Sequence, residues 1–225
     1  MNRVSHDPVQ VFVDSLLLAI DAGPGGPANS VIEPLVTELR YKGEPKDVAA
    51  SGGMPALNHL PVAIQNAALG PKEIRSLAES FAKLADELPW YQRQEPALPG
   101  FMHDHANAFI IGPKGLEERG NVTVGVSFLL PGIEYPHHSH PPQELYVAMS
   151  DGDWCQNGDS WQASCLGGLV MCFRYIKIRL FNKIFFNQKN NLKNLNYTEI
   201  NFDDEEPVSY THLTLRRRLR CRSRW

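Results

Sequence analysis

Apolar residues in the first ninety positions recur at intervals of three and four, and beyond them the interval shortens to two. Val9, Val11, Phe12, Leu16, Leu17 and Ile20 approximate one stripe, with Asp14 and Asp21 outside it, and the Gly23-Pro24-Gly25-Gly26-Pro27 cluster ends the helix. A second helix is predicted from about Ser30 to Tyr41, with Pro34 in the first turn, where a missing N–H costs nothing. A third spans Leu57 to Ala68. The clearest runs from Gly70 to Leu88, where Ile74, Leu77, Ala78, Phe81, Leu84 and Leu88 form the buried stripe and Pro89 stops the helix.

From Trp90 the grammar is that of strands and turns. Ala108-Phe109-Ile110-Ile111 leads into the turn Gly112-Pro113-Lys114-Gly115, and Val122, Val124, Val126 and Phe128 alternate with small or polar residues. Leu145 to Met149 reads as a strand and Ser150 to Asp153 as a tight turn. Trp154 to Trp161 reads as a hairpin with Asn157-Gly158 at its tip. Short strands with a turn every ten residues or so indicate a β-barrel or double-sheet jelly roll.

The chain has 225 residues, 43% hydrophobic and 21% charged, ordinary for a globular protein. Its net charge of -3 conceals a division. Residues 1–168 hold 10 basic and 20 acidic residues, a net of -10, whereas 169–225 hold 12 and 5, a net of +7. Neither alanine nor glycine occurs in those last 57 residues, and seven of the twenty from Asn182 to Asn201 are asparagine. The ending also resembles translated sequencing-adapter sequence. These shifts predict three regions: a helical part over 1–95, the first part of a barrel over 96–168, and an atypical basic, asparagine-rich tail over 169–225 that is not authentic to the gene. The tail lacks the aromatic interleaving of single-strand binders, so no nucleic-acid partner is expected. Asp14 interrupts the first apolar stretch, no basic segment precedes it, and no apolar run is long enough to span a bilayer. No membrane association and a cytoplasmic location are expected. Cys155, Cys165, Cys172 and Cys221 show no ligand spacing and are expected to be free thiols.

Residues 132–152 carry the chemistry. Side chains two apart on a strand share a face, so His138 and His140 point the same way, and Glu144 and Tyr146 keep that parity beyond Pro141-Pro142. Imidazole and carboxylate suit Zn, Fe, Mn, Ni or Co, and two histidines with one carboxylate leave coordination positions open for a substrate. His137 has the opposite parity and reads as a surface or supporting residue. His103 and His105 form a second HxH pair with no carboxylate at the matching offset, and read as solvated or hydrogen-bonding residues.

Gly132, five residues, His138-x-His140, three residues, Glu144, seven residues and Gly152 are similar to the first cupin motif, whose last interval is usually six. With Tyr135-Pro136-His137 before it, Gln143 and Tyr146 within it, and Gly152-Asp153-Trp154 and Trp161 after it, the segment resembles the cupin-type dimethylsulfoniopropionate (DMSP) lyases of marine bacteria. The resemblance covers about residues 90–165. It implies a mainly β fold, a cupin (double-stranded β-helix or jelly-roll) barrel preceded by an α-helical amino-terminal region. It also implies cleavage of a small sulfonium substrate to dimethyl sulfide and acrylate at a divalent transition metal. His138, His140, Glu144 and Tyr146 would surround that metal, and Tyr146 or Tyr135 would serve as a catalytic base. Trp154, Trp161, Trp90 and Tyr91 are candidates for holding the sulfonium by cation–π attraction, Trp90-Tyr91 being equally a packing pair. Pairing of sheet edges into a homodimer is implied as well. The family also uses a histidine from a later strand. Past His140 the only one is His212, in the atypical tail, so an incomplete metal shell and an unclosed barrel are expected, and the activity of this chain itself is left open. The alternatives are another metal-dependent cupin enzyme, a dioxygenase or isomerase, and a non-catalytic cupin binding module.

Overall fold

The computed structural model describes residues 7–23, 33–120, 122–139, 144–156, 160–172, 175–179 and 210–217; for 35, 137–139, 156, 170–172, 175–179 and 210–217 it describes the backbone alone. Five α-helices and eleven strands occupy these residues. The helices are α1 (Pro8–Ala22), α2 (Glu33–Arg40), α3 (Leu60–Ala67), α4 (Lys72–Ala82) and α5 (Pro99–His103). The strands are β1 (Glu44–Pro45), β2 (His105–Ile111), β3 (Glu117–Glu118), β4 (Val122–Leu129), β5 (Glu134–Ser139), β6 (Glu144–Ala148), β7 (Gly152–Gln156), β8 (Gln162–Ser164), β9 (Leu169–Cys172), β10 (Tyr175–Arg179) and β11 (Tyr210–Arg217).

Helix α1 begins where the sequence supplies a cap. Asp7 accepts hydrogen bonds from the backbone N–H of Val9 (3.0 Å) and Gln10 (3.5 Å), and Pro8 sits where its missing donor is harmless. The Lys42 ammonium, 2.9 Å away, holds the Asp7 carboxyl below its ordinary range. The helix expected over 70–88 ends at Ala82 and tightens into a 3₁₀ turn over Ala85–Glu87. Pro89 forces Leu88 into extended backbone, ψ 143°, and the indole N–H of Trp90 takes the Ala85 carbonyl at 2.8 Å. The tightened turn still buries Leu84, Ala85 and Leu88. Short α5 and the two-residue strands β1 and β3 carry no periodicity and were not predicted.

Two sheets follow. The larger has the order β1-β3-β2-β4-β11-β6-β9 and the smaller β5-β10-β7-β8. This is the expected mainly β, cupin-type arrangement after a helical region, and among the described residues the two sheets do not close into one barrel. β7 and β8 form the predicted hairpin, whose Asn157-Gly158 tip lies outside the described residues.

Strand alternation divides the large sheet into two faces. Ala106, Ala108 and Ile110 of β2, Val122, Val124, Val126 and Phe128 of β4, and Leu145 and Val147 of β6 join Phe12, Leu16 and Ile20 of α1 and Ile74, Leu77 and Phe81 of α4 in one core. Residues of opposite parity, among them His105, Asn107, Glu144 and Tyr146, are turned toward the smaller sheet. Two ring contacts span that gap: His105 to Tyr135 of β5, and Tyr146 to Trp154 of β7.

A buried ion pair ties the helical layer to this scaffold. Arg119 and Glu117 are 2% and 1% exposed, and the Arg119 guanidinium donates to the Glu117 carboxylate, to the Leu39 carbonyl (2.6 Å) and to Gln10 Oε1 (3.0 Å). Glu117 also accepts from the Gly43 N–H at 2.8 Å. Cys155 and Cys165 are free thiols, as expected. No helix among the described residues is long and apolar enough to cross a membrane.

Candidate active site

The inter-sheet space is built from the motif outward. Gly132 lies in the turn from β4 to β5 with φ 77°, a left-handed conformation that explains glycine at the head of the motif. The chain then enters β5, which pairs with β10 through a register shift. Ile178 of β10 lies opposite Tyr135, whereas Ile176, two residues away, lies opposite His138, three residues from Tyr135. The extra residue in β5 is a bulge at Pro136-His137, where proline could not donate to the ladder. In a regular strand, positions three apart fall on opposite faces; the bulge brings positions 135 and 138 to the same one. Ile178 also lies opposite Trp154 of β7, so Tyr135 and Trp154 share a row of the small sheet. Both reach toward the large sheet.

From the facing sheet, β6 contributes Glu144 and Tyr146, which are 0% and 2% exposed. Being two apart on one strand, they lie side by side, and the Tyr146 hydroxyl donates to Glu144 Oε2 at 2.5 Å. That short O–H···O bond is in the range of a charge-assisted bond to a carboxylate. The Tyr146 ring packs on Trp154, centroids 4.9 Å apart at 58°. β11 lies between β4 and β6, and its register puts Thr214 opposite Tyr146, Arg216 opposite Glu144 and His212 opposite Ala148. Position 212 is thus on the strand next to β6, two residues along the face from Tyr146's row.

A second group surrounds Tyr135. His105 is fully buried: its Nε2 accepts the backbone N–H of Arg93 at 2.9 Å, and its Nδ1 donates to the Phe101 carbonyl. Burial therefore keeps this imidazole neutral, with its pKa below the ordinary value of 6.5, against a smaller opposing effect of the Phe101 bond. Its ring stacks on Phe101 (3.7 Å, 9°), and both meet the Tyr135 ring edge-on, at 6.3 and 5.2 Å. The Arg93 guanidinium lies 5.6 Å from the Tyr135 centroid and forms an ion pair with Glu95 at 3.5 Å. His105 is the hydrogen-bonding residue expected, whereas His103 is exposed.

Of the predicted site residues, the fold thus brings together Glu144 and Tyr146 directly, and Tyr135 and the backbone position of His138 from the opposite sheet. His140 lies outside the described residues. Among the described residues no group of three or more His, Cys, Asp and Glu side chains is gathered closely enough to hold a metal ion. The donors that are described nonetheless suit one: a fully buried carboxylate and a phenol sharing a hydrogen bond supply oxygen ligands on the face that β5 opposes. Of the aromatic candidates, Trp154 walls the site beside Tyr146, and Trp161 is half-buried. Tyr91 is 40% exposed and stacks on Phe109 at 5.5 Å. Trp90 belongs to the helical core, edge-on to Phe81, and takes no part in the site. Asn107 was not anticipated from sequence, since a lone asparagine carries no periodic or motif signal.

The family model for dimethylsulfoniopropionate lyase matches residues 28–176. Among solved structures, the fold is similar to a chain from the crystal structures of the DMSP lyases RdDddP and RnDddQII, with 14% identity and a TM-score of 0.61 over 93% of this chain and 92% of the other. It is similar also to the DMSP lyase DddQ of Ruegeria pomeroyi DSS-3, with 16% identity and a TM-score of 0.60 over 94% and 92%. The search of curated proteins found no match. With two thirds of its length matched by the family model, and the motif of β5 and β6 lying within that stretch, the chain belongs to the DMSP lyase family.

Proposed function

We propose that the inter-sheet site cleaves DMSP to dimethyl sulfide and acrylate by β-elimination, with Tyr146 as the base. The observation carrying this reading is the buried Tyr146–Glu144 hydrogen bond of 2.5 Å. A free phenol has a pKa of about 10 and is a weak base at neutral pH. Glu144 accepts the hydrogen bond of the hydroxyl and fixes the phenol in place, and beside a divalent cation the phenol's pKa would fall so that its proton passes to solvent. The resulting phenolate removes a proton from the carbon next to the substrate carboxylate, the electron pair forms the C=C bond of acrylate, and the C–S bond breaks to release neutral dimethyl sulfide. Atoms and charge balance, with the abstracted proton passing to solvent. Trp154, against the Tyr146 ring, excludes water from this step.

His138, His140, Glu144 and Tyr146 would hold a divalent transition metal. Such an ion, acting as a Lewis acid, would spread the negative charge that develops toward the substrate carboxylate. The tail from about residue 169 is read as foreign to the family, a reading supported by the charge reversal there, although the family match runs eight residues into it, to residue 176. Re-sequencing the locus tests it, and an intact frame through the tail in independent clones would overturn it.

Headspace detection of dimethyl sulfide from the purified chain tests the activity, with and without prior chelation. The expected result is release that chelation abolishes, that Tyr146→Phe lowers by at least about 100-fold, the scale of general-base catalysis, and that Tyr135→Phe lowers less. Undiminished release by Tyr146→Phe would remove Tyr146 as the base, and no release from metal-loaded protein would overturn the lyase reading for this chain.

A further inference from the structure

We propose that Asn107 is a substrate-binding residue whose side-chain amide donates a hydrogen bond to a carboxylate oxygen of the bound substrate; the assignment rests on the lyase reading above. Asn107 lies on β2 and is 4% exposed, yet its Nδ2 has no hydrogen-bond partner among the described residues. Buried amide donors are normally paired, so an unpaired one in a well-packed sheet calls for an acceptor that the protein itself does not supply. The backbone around it is firmly held: Asn107 exchanges both main-chain hydrogen bonds with Tyr91, at 2.7 and 2.8 Å, and pairs with Ser127 of β4 on its other side. The direction of the side chain is therefore set by the sheet.

That direction is toward the site. Asn107 has the parity of His105, two residues away, whose ring meets the Tyr135 ring, and the opposite parity to Ala106 and Ala108 in the helical core. Its surroundings are less closed than the core face. Ser127 beside it, and Phe109 and Gly125 in the next row, are all partly exposed, as is Tyr91. A small molecule in the inter-sheet space would thus reach the Asn107 amide from the side that Tyr135 borders. The chemistry required is that of a small anion with an uncrowded oxygen. A short-chain carboxylate has one; the sulfonium end of the same substrate has no acceptor and would be served by aromatic faces instead.

The test compares the full chain with Asn107→Leu, an apolar replacement of the same branched shape, and with Asn107→Ala in case the bulkier leucine does not fold. Three quantities are read: KM and kcat for dimethyl sulfide release, the affinity for propionate by titration calorimetry, and the urea unfolding midpoint. Propionate carries the carboxylate without the leaving group. Losing a hydrogen bond to a charged acceptor predicts KM raised and propionate binding weakened by about 10- to 100-fold, with the unfolding midpoint of Asn107→Leu at or above that of the unaltered protein. Unchanged KM and propionate affinity would overturn the assignment, as would a lowered midpoint with binding intact, which marks a structural amide. If the unaltered protein binds propionate and Asn107→Leu does not, but neither releases dimethyl sulfide, the Asn107 assignment stands and the lyase reading falls. If the unaltered protein does neither, both fall.

Discussion

Replacing Arg119 by alanine removes a guanidinium that is 2% exposed and bonds to three separate parts of the chain: Glu117 on its own strand region, the Leu39 carbonyl at the end of α2, and Gln10 on α1. Glu117, 1% exposed, would keep the Gly43 N–H at 2.8 Å as the only hydrogen-bond donor described for it here. Truncating one partner of a buried pair costs about 3–5 kcal/mol, because the remaining charge stays in a poorly solvating interior. The loss is a large share of the 5–15 kcal/mol by which domains are typically stable. With a urea m-value of about 2 kcal/mol/M, the midpoint should fall by about 2 M. Equilibrium urea unfolding at neutral pH, followed by Trp fluorescence and far-UV circular dichroism, reads it. The double variant Arg119→Met/Glu117→Gln separates the charge from the packing: it retains an acceptor for the Gly43 N–H and leaves no orphaned carboxylate. It should recover at least half of the loss. A shift below about 1 kcal/mol for Arg119→Ala, the range of a surface pair, or a double variant less stable than the single one, would refute the argument that a buried, orphaned charge sets the cost.

Three further outcomes follow from particular residues. Asp7→Ala should lower stability by about 1 kcal/mol at neutral pH through loss of the α1 cap. Because the folded carboxyl titrates below its ordinary value near 3.8, this contribution is present above that value and lost as pH falls through the lower folded one, so the gap between variant and parent in urea unfolding should close in acid. His105 has the same sign for a different reason: burial depresses its pKa, so the unfolded chain takes up a proton first and stability declines as pH falls below 6.5. His105→Gln should flatten that part of the stability–pH curve, and an unchanged slope would show the imidazole to be already charged. Gly132→Ala should cost about 1–2 kcal/mol through its φ of 77°, with Gly132→Asn costing less, since asparagine tolerates the left-handed region; equal losses in thermal unfolding would point to crowding instead.

The sequence by itself determined the apolar stripes of α1 and α4, the alternation of β4, the hairpin of β7 and β8, and the pairing of Glu144 with Tyr146. Each follows from spacing within one element, where the backbone period dictates which side chains share a face. The fold class and the family were legible for the same reason, since the motif lies almost wholly within two strands and the turn that precedes them. The tertiary structure decided what spacing could not. The tightening of α4 after Ala82 depends on Trp90 claiming the Ala85 carbonyl, a contact beyond the helix. That positions 135 and 138 share a face depends on a bulge that only the β10 register reveals. His105, Phe101 and Arg93 gather on Tyr135 from three segments, and the fold assigns Trp90 to the core while leaving Tyr91 half open. Asn107 is the clearest case. Its place in the chain says nothing, because a buried donor without an acceptor is a property of all the strands and helices that surround it, and it exists only once they are packed.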